Sequence, residues 1–286
     1  MNIVLAADYG YREQVIVTIK SIMRFHDSVT FYVINKDYPS EWFQEMNEHL
    51  GKFHSRIQDC KLIAADYQNF NTYEHISEAT FYRYHIPELV AADKVLYLDA
   101  DLVVTGSLKA LYDTDISQVA VAAVPDTLVK YLQHKKEFNA GVLLIHSKKW
   151  RELKVLEKAL HMHADSQISL PDADQSVLNL LFKDNWLELP IQYNYQVAGY
   201  HVALRSSVIT SQLPLIVHYT TSMKPWKKNY IPLSFISKMK SLLVGRLFFK
   251  EVLTNRLNLP FQEIWDEIET LSWDDVMQVY QQEILK

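Results

Sequence analysis

Over its first two-thirds, the chain alternates short apolar runs with segments whose apolar residues recur at helical spacing. The predicted strands cover residues 3–7, 29–34, 61–64, 95–98, 119–124 and 140–145. The predicted helices cover residues 12–25, 39–50, 80–91, with Pro87 kinking or restarting the third, and 148–163. This alternation favours an α/β fold with a mostly parallel open sheet flanked by helices. Ligands of such sheets bind beyond the carboxyl ends of the strands, so polar residues that follow a predicted strand are the candidate site residues.

The composition excludes several functions. The 286 residues carry a net charge of −5, so we expect no nucleic-acid partner. The single cysteine, Cys60, excludes an internal disulfide and a cysteine-based metal cluster. The six glycines are too dispersed for a dinucleotide fingerprint or a P-loop, so other groups must neutralise any bound phosphate. The first residues lack a signal-peptide pattern and no apolar run is long enough to span a membrane, so we expect a soluble, cytoplasmic chain.

Asp99 and Asp101 directly follow the predicted strand 95–98. Two carboxylates at this spacing can reach one divalent cation, and hard oxygen ligands suit Mg²⁺ or Mn²⁺. Two enzyme classes fit the pattern. One is a phosphatase of the haloacid-dehalogenase type, with Asp99 as nucleophile, although no glycine here precedes the aspartate that this class also uses. The other is a glycosyltransferase that holds a metal under the diphosphate of a nucleotide sugar, and the plain structural alternative is two solvated aspartates in a turn.

Residues elsewhere in the chain favour the glycosyltransferase. His218 follows the apolar run 213–217 and offers a nitrogen ligand, and Lys224 offers a point charge to a phosphate. The segments 138–144 and 172–175 contain amides and carboxylates, which suit sugar hydroxyls because each hydroxyl both donates and accepts. Each feature also has an ordinary structural explanation. His218 could be a buried structural histidine, segment 138–144 could contain a turn before a strand, and segment 172–175 could be the start of a helix.

Taken together, these motifs resemble glycosyltransferase family 8, and in particular its bacterial lipooligosaccharide α-galactosyltransferases. The matching segments lie in the order of the family and cover residues 3–11, 80–83, 94–101, 138–145, 174–179 and 218–226. The resemblance implies a fold like that of the type A nucleotide-sugar transferases. It also implies retaining transfer of a hexose, galactose or glucose, from a UDP-sugar to a glycan hydroxyl, with Mn²⁺ or Mg²⁺ as cofactor. A non-catalytic sugar-binding module stays open as an alternative.

The resemblance also implies a role for each matching residue. The metal ligands would be Asp99, Asp101 and His218. The donor-binding residues would be Ala6, Asp8, Tyr11, Arg83, Asp99, Asn139, Gly141, Asp174, Gln175 and Lys224. The catalytic and acceptor-facing residues would be Gln175, Asp174 and Asp126. Two positions depart from the family pattern, since Gly10 replaces an asparagine that contacts ribose and Thr221 replaces a glycine in the loop beside the phosphates.

The distribution of charge divides the chain into a catalytic domain, 1–229, and a helical C-terminal appendage, 230–286. Residues 224–250 contain seven basic residues and no acid, whereas 251–286 contain eight acids and two bases. Apolar residues interleave with the basic ones, which is typical of a helix that lies on an anionic surface. We therefore hypothesise a peripheral contact with the inner face of a membrane or with a partner protein, the alternative being packing on the core. The glycan acceptor would be lipid-linked or protein-linked.

Overall fold

A seven-stranded sheet forms the centre of this computed structural model. The structure describes residues 1–63, 67, 70, 77–183, 185–199, 214–220, 224–227 and 259–285. The strands of this sheet are β1 (Asn2–Ala6), β2 (Thr30–Asn35), β3 (Arg56–Lys61), β4 (Lys94–Leu98), β6 (Val121–Pro125), β7 (Phe138–His146) and β8 (Trp186–Glu188). They lie in the order β3-β2-β1-β4-β7-β6-β8. β7 runs antiparallel to both of its neighbours, and the other pairings are parallel. The predicted mostly parallel sheet is thus confirmed.

Helices cover both faces of the sheet. They are α1 (Arg12–Met23), α2 (Ser40–Gly51), α3 (Ile86–Leu89), α4 (Lys109–Asp113), α5 (Ser147–Glu152), α6 (Val155–Ala164), α7 (Ala173–Leu181), α8 (Gln262–Thr270) and α9 (Trp273–Ile284). Strand residues alternate between two cores because successive side chains point to opposite faces. In β4, Leu96 and Leu98 pack with α1 and α2, whereas Val95 and Tyr97 pack with the helices of the other face. Burying each such aliphatic side chain contributes roughly 1.5–3 kcal/mol.

Three predicted elements differ in detail from the structure. The strand predicted at 61–64 is instead β3, an edge strand whose two buried residues, Ile57 and Cys60, are three positions apart and so do not show the alternation of a strand. The helix predicted at 148–163 is two helices, because Lys154 between α5 and α6 adopts a left-handed φ of 53°. The segment predicted as a helix at 80–91 forms a 3₁₀ helix, Glu78–His85, followed by α3, where Pro87 begins a new turn as predicted.

A second, three-stranded sheet brings a distant part of the chain next to the residues that follow β4. It consists of β5 (Leu102–Val104), β9 (Tyr195–Gln196) and β10 (Ile216–His218), in the order β5-β10-β9. His218 pairs with Leu102, and the Tyr219 backbone N–H donates to the Asp101 carbonyl oxygen at 3.0 Å. This pairing carries His218 across more than a hundred residues of sequence to the Asp-x-Asp segment.

The C-terminal helices α8 and α9 pack against α1. Trp265 and Ile268 of α8 are fully buried in a cluster that contains Val17. The Lys20 ammonium donates to the Leu271 carbonyl oxygen at 2.5 Å, and Ser272 begins α9 with a capping box. Within the described part of the chain, no helix is long and apolar enough to cross a bilayer. The predicted docking segment 224–250 lies outside the described residues from residue 228 onward.

Candidate active site

The predicted site residues gather at the carboxyl ends of β1 and β4. These parallel neighbours pair Val4 with Tyr97, so Asp8 and Asp99 emerge at the same edge of the sheet. The Asp99 backbone N–H donates to the Gly141 carbonyl oxygen at 2.8 Å, which adds β7 to this edge. A pocket of about 660 Å³ opens there. All of the predicted site residues line it: Ala6, Asp8, Tyr11, Arg83, Asp99, Asp101, Asp126, Asn139, Gly141, Asp174, Gln175, His218 and Lys224.

Asp99, Asp101 and His218 converge on one point of the pocket, with their ligand atoms within 4.8 Å of one another. His218 Nε2 lies 3.1 Å from Asp101 Oδ1 and 3.6 Å from Asp99 Oδ2. Asp101 Oδ1 is buried and accepts no hydrogen bond from the described residues. Two carboxylate oxygens and one imidazole nitrogen form a ligand set that fits Mn²⁺ or a related divalent cation. The residues present therefore fit the metal that the sequence predicts.

Gly141 leaves the space that two of these side chains, Asp99 and His218, occupy. A Cβ atom at this position would lie 2.7 Å from Asp99 Oδ2 and 2.8 Å from His218 Nδ1, and closer still to His218 Cε1. These separations are far below ordinary van der Waals contact. The close approach of strand and ligands, and not a left-handed backbone, is what requires glycine here.

Lys224 balances the charge of the carboxylates. Its ammonium donates to Asp101 Oδ2 and, at 2.7 Å, to the Tyr219 carbonyl oxygen. Burial alone would raise the pKa of Asp101, but the positive charge of Lys224 first, and the neighbouring His218 ring with it, outweigh that effect and hold the pKa below its usual value. The Asp101 carboxylate is therefore ionised at neutral pH, as a metal ligand must be.

Arg83 bridges Asp99 of the candidate metal site and Asp174 of α7. Its side chain is only 5% exposed, and it pairs with Asp99 Oδ1 at 3.0 Å and with Asp174 Oδ2 at 3.1 Å. The guanidinium also donates to the Ala140 carbonyl oxygen at 2.5 Å and lies over the Tyr97 ring. Burial would lower the pKa of Arg83, but Asp174 and Asp99 outweigh it and raise that pKa. Arg83 thus holds both carboxylates in place, and its predicted contact with the donor stays a prediction.

Gln175 is partly buried and lies at the centre of an amide cluster. Its Oε1 accepts from the backbone N–H of Ala140 and from Asn139 Nδ2, both at 3.1 Å. Its Nε2 donates to Asp126 Oδ2 at 3.1 Å. The nearby Ala173 has a φ of 47° at the start of α7, a conformation that costs energy outside glycine and that clusters at functional sites. The arrangement presents Gln175 and Asp126 side by side on one wall of the pocket.

Tyr11 and Asp8 line the same pocket, near the carboxylates of the candidate metal site. The Tyr11 ring meets the Trp226 ring edge-to-face, with 5.9 Å between centroids. Burial and the nearby carboxylates of Asp101, Asp8 and Asp99 raise the pKa of Tyr11 to about 12, so it stays neutral. The structure thus places an aromatic ring near carboxylates, and the predicted binding of the donor by Tyr11 and Asp8 stays a prediction.

Sequence reasoning missed three polar residues that support the site. Thr80 Oγ1 donates to Asp174 Oδ1 at 2.5 Å, and Asn194 Oδ1 lies 2.9 Å from His218 Nδ1. Gln196 Oε1 accepts from the backbone N–H of Thr127 at 2.9 Å. Thr80 falls within a segment that carries the family resemblance, which is a signal that could have identified it. Asn194 and Gln196 flank or form the two-residue strand β9 and carry no motif.

Residues 2–230 match the sequence model of glycosyl transferase family 8. The chain belongs to this family. The curated relatives include the glycosyltransferases GlyE and GlyA of Streptococcus pneumoniae serotype 4. GlyE is 34% identical over 284 residues, which are 96% of this chain and 62% of GlyE. GlyA is 40% identical over 225 residues, which are 79% of this chain and 32% of GlyA.

Solved structures agree with this membership. The crystal structure of GlyE matches with a TM-score of 0.75 at 32% identity, covering 100% of this chain and 64% of the GlyE chain. The galactosyltransferase LgtC, solved with donor and acceptor sugar analogues, matches with a TM-score of 0.72 at 27% identity, covering 88% of this chain and 99% of LgtC. The chain spans about a third of the length of GlyA and less than two-thirds of the length of GlyE.

Proposed function

We propose that this family 8 glycosyltransferase transfers a hexose, galactose or glucose, from a UDP-sugar to a hydroxyl of a glycan acceptor, with retention of configuration and with Mn²⁺ or Mg²⁺. The observation that carries the proposal is the convergence of Asp99, Asp101 and His218 beside the Arg83–Asp174 pair in one pocket. The similarity to LgtC, a galactosyltransferase, supports a hexose. The acceptor, lipid-linked or protein-linked, the cytoplasmic location and any membrane contact through residues 224–250 belong to the same proposal.

The metal-side residues would stabilise the leaving diphosphate. A divalent cation held by Asp99, Asp101 and His218 would supply a Lewis acid for the negative charge that develops on UDP. Lys224 lies beside Asp101 and adds a second positive charge at this end of the pocket. The lysine charge is positioned before the reaction, because Asp101 and the Tyr219 carbonyl oxygen hold the ammonium in place.

The sugar-side residues would orient the transferred hexose. Asp174 is held by Arg83 and Thr80, and Asn139 is held by the amide cluster, so their polar groups have fixed directions. Gln175 is an amide and cannot form a stable glycosyl ester. Asp126 Oδ2 accepts hydrogen bonds from Gln175 at 3.1 Å and from Asn139 at 3.4 Å, which lowers its nucleophilicity. We therefore favour attack of the acceptor on the same face as the departing phosphate, which would assist by accepting the proton.

The structure disfavours the alternative of an aspartate-nucleophile phosphatase. Asp99 Oδ1 accepts from Arg83 at 3.0 Å and from the Tyr97 hydroxyl at 2.7 Å, so this oxygen is stabilised and not activated. Membership of a glycosyltransferase family argues in the same direction. A sugar-binding module without turnover is the remaining alternative, and only an activity measurement separates it from the enzyme.

The test is UDP release from a panel of UDP-sugars, with and without Mn²⁺ and a mixture of glycan acceptors. We expect release from UDP-galactose or UDP-glucose that requires both the metal and an acceptor. Asp99→Asn and Asp101→Asn should each lower the rate roughly 100-fold or more, since each removes a charged ligand without changing shape. Asp93→Asn, a change to an acid whose side chain is 81% exposed, is the control and should be neutral.

Three outcomes would contradict the proposal. Turnover that does not need metal in the Asp99 or Asp101 variant would remove the metal from the mechanism. Phosphate release from simple monoesters would instead support the phosphatase. Sugar binding without any turnover across donors and acceptors would support the non-catalytic module.

A further inference from the structure

Asn194 connects the metal-side histidine to the sugar-side amides. The residue is fully buried, between a 3₁₀ turn (Ile191–Tyr193) and β9. Its Oδ1 lies 2.9 Å from His218 Nδ1, and its Nδ2 donates to Asn139 Oδ1 at 2.8 Å. The pairing of β9 with β10 fixes the backbones on both sides of this contact, since His218 pairs with Gln196. Asn194 is therefore held in place by backbone and side-chain contacts together.

The direction of each hydrogen bond in the series from Gly141 through Asn139 and Asn194 to His218 follows from the backbone donor at Gly141. The Gly141 N–H can only donate, and it donates to Asn139 Oδ1 at 3.1 Å. The atom of Asn194 that faces this oxygen must therefore be its NH₂ group, which leaves Asn194 Oδ1 facing His218. Because that oxygen can only accept, His218 Nδ1 must carry the hydrogen and donate it.

This assignment leaves His218 Nε2 as the atom that faces the two carboxylates, at 3.1 Å from Asp101 Oδ1 and 3.6 Å from Asp99 Oδ2. Three electron-rich atoms then surround one point, which is the arrangement that a divalent cation stabilises. We propose that Asn194 is a positioning residue that fixes the ring orientation and tautomer of His218 for metal binding. Metal-ligating histidines generally donate their second ring N–H to such an acceptor. The inference rests on the metal part of the proposed function.

The experiment measures Mn²⁺ affinity by calorimetry on the full chain without donor sugar. Asn194→Leu removes the acceptor at similar volume and should weaken Mn²⁺ binding roughly 10–100-fold. Asn194→Asp keeps an oxygen that accepts from His218 Nδ1 and should retain most of the affinity. Asn179→Leu is the matched control, because Asn179 is also a buried amide but, among the described residues, bonds only to backbone groups of Phe138 and Gln175. It should lower stability without changing Mn²⁺ affinity.

Nitrogen NMR of ¹⁵N-histidine-labelled protein loaded with diamagnetic Mg²⁺ gives a readout that needs no Asn194 variant. The signal of His218, assigned by its loss in His218→Gln, should show hydrogen on Nδ1 and none on Nε2. Hydrogen on Nε2 would overturn the inference even if Asn194→Leu failed to fold.

The remaining outcomes separate this inference from the proposed function. Wild-type affinity in Asn194→Leu, or equal losses in Asn194→Leu and Asn179→Leu, would overturn the positioning role alone. Loss of affinity in Asn194→Asp as large as in Asn194→Leu would overturn it as well. If the wild-type chain bound neither Mn²⁺ nor Mg²⁺, the metal part of the proposed function would fail and the inference with it.

Discussion

The sharpest perturbation that the structure offers is a single methyl group at Gly141. In Gly141→Ala, the new Cβ would lie 2.7 Å from Asp99 Oδ2 and 2.8 Å from His218 Nδ1. The backbone at Gly141 is not in the left-handed region, so alanine itself introduces no conformational strain. The whole effect therefore comes from the displacement of two of the three candidate metal ligands.

The magnitude follows from these distances. Restoring ordinary contact requires the imidazole or the carboxylate to shift by about 1 Å, and a misplacement of this size in a catalytic site costs about 100-fold in rate. A 100-fold loss in kcat/KM corresponds to about 2.7 kcal/mol of transition-state stabilisation. Overpacking of a buried site costs about 1–3 kcal/mol of folding stability, which a domain of ordinary stability survives.

The assay combines UDP release, Mn²⁺ affinity and thermal unfolding on purified Gly141→Ala. We expect kcat/KM and metal affinity to fall together while the protein stays folded. Gly51→Ala is the matched control, since no atom of the part of the chain that the structure describes lies within 4 Å of its added Cβ at the end of α2. Gly51→Ala should keep wild-type activity. A folded Gly141→Ala variant with wild-type rate and metal affinity would refute the crowding argument and the assignment of these ligands.

Two further predictions concern the sugar and the C-terminal segment. Asp174→Ala should reduce transfer much more than UDP affinity measured by calorimetry, because Asp174 is assigned to the sugar; a collapse of UDP affinity with preserved donor selectivity would contradict that role. Lys238→Glu combined with Lys240→Glu, at positions outside the described residues, should abolish co-sedimentation with anionic vesicles and leave soluble activity intact, because each basic residue near an anionic surface contributes roughly 1 kcal/mol. Absence of co-sedimentation of the wild-type protein at low salt would leave packing as the explanation.

The central strands can be predicted from the sequence because burial on both faces of the sheet requires a continuous run of apolar residues. β4 is apolar from Val95 to Leu98 and is followed at once by Asp99, so strand and carboxylate could be identified together. The edge strand β3 is not buried along its whole length, so it also contains polar residues and lacks a continuous apolar run. The break between α5 and α6 at Lys154 was equally hidden, because a left-handed lysine follows from packing and not from its own propensity.

The residues of the candidate site likewise fall into those that the sequence predicts and those that only the tertiary structure identifies. Residues that follow a long buried strand or begin one, such as Asp99 and Asn139, could be predicted from position and residue type. Asn194 could not, because its importance depends on where β9 and β10 place it relative to His218. An isolated asparagine before a two-residue strand has no sequence period, and only the tertiary structure shows which atoms its amide joins.

The C-terminal helix α8 packs against residues that are close in sequence to the candidate metal ligand His218. Trp265 of α8 is fully buried and contacts the rings of Trp226, at 4.9 Å, and Tyr219, at 5.7 Å. Tyr219 follows His218 directly, its hydroxyl donates to the Phe261 carbonyl oxygen at 2.6 Å, and its own carbonyl holds the Lys224 ammonium. Removing the chain beyond residue 230 would therefore remove Trp265, the ring that packs against both of these aromatic residues. Because Tyr219 directly follows His218 and its carbonyl oxygen holds Lys224, α8 supports the segment that carries two of the polar groups of the candidate metal site.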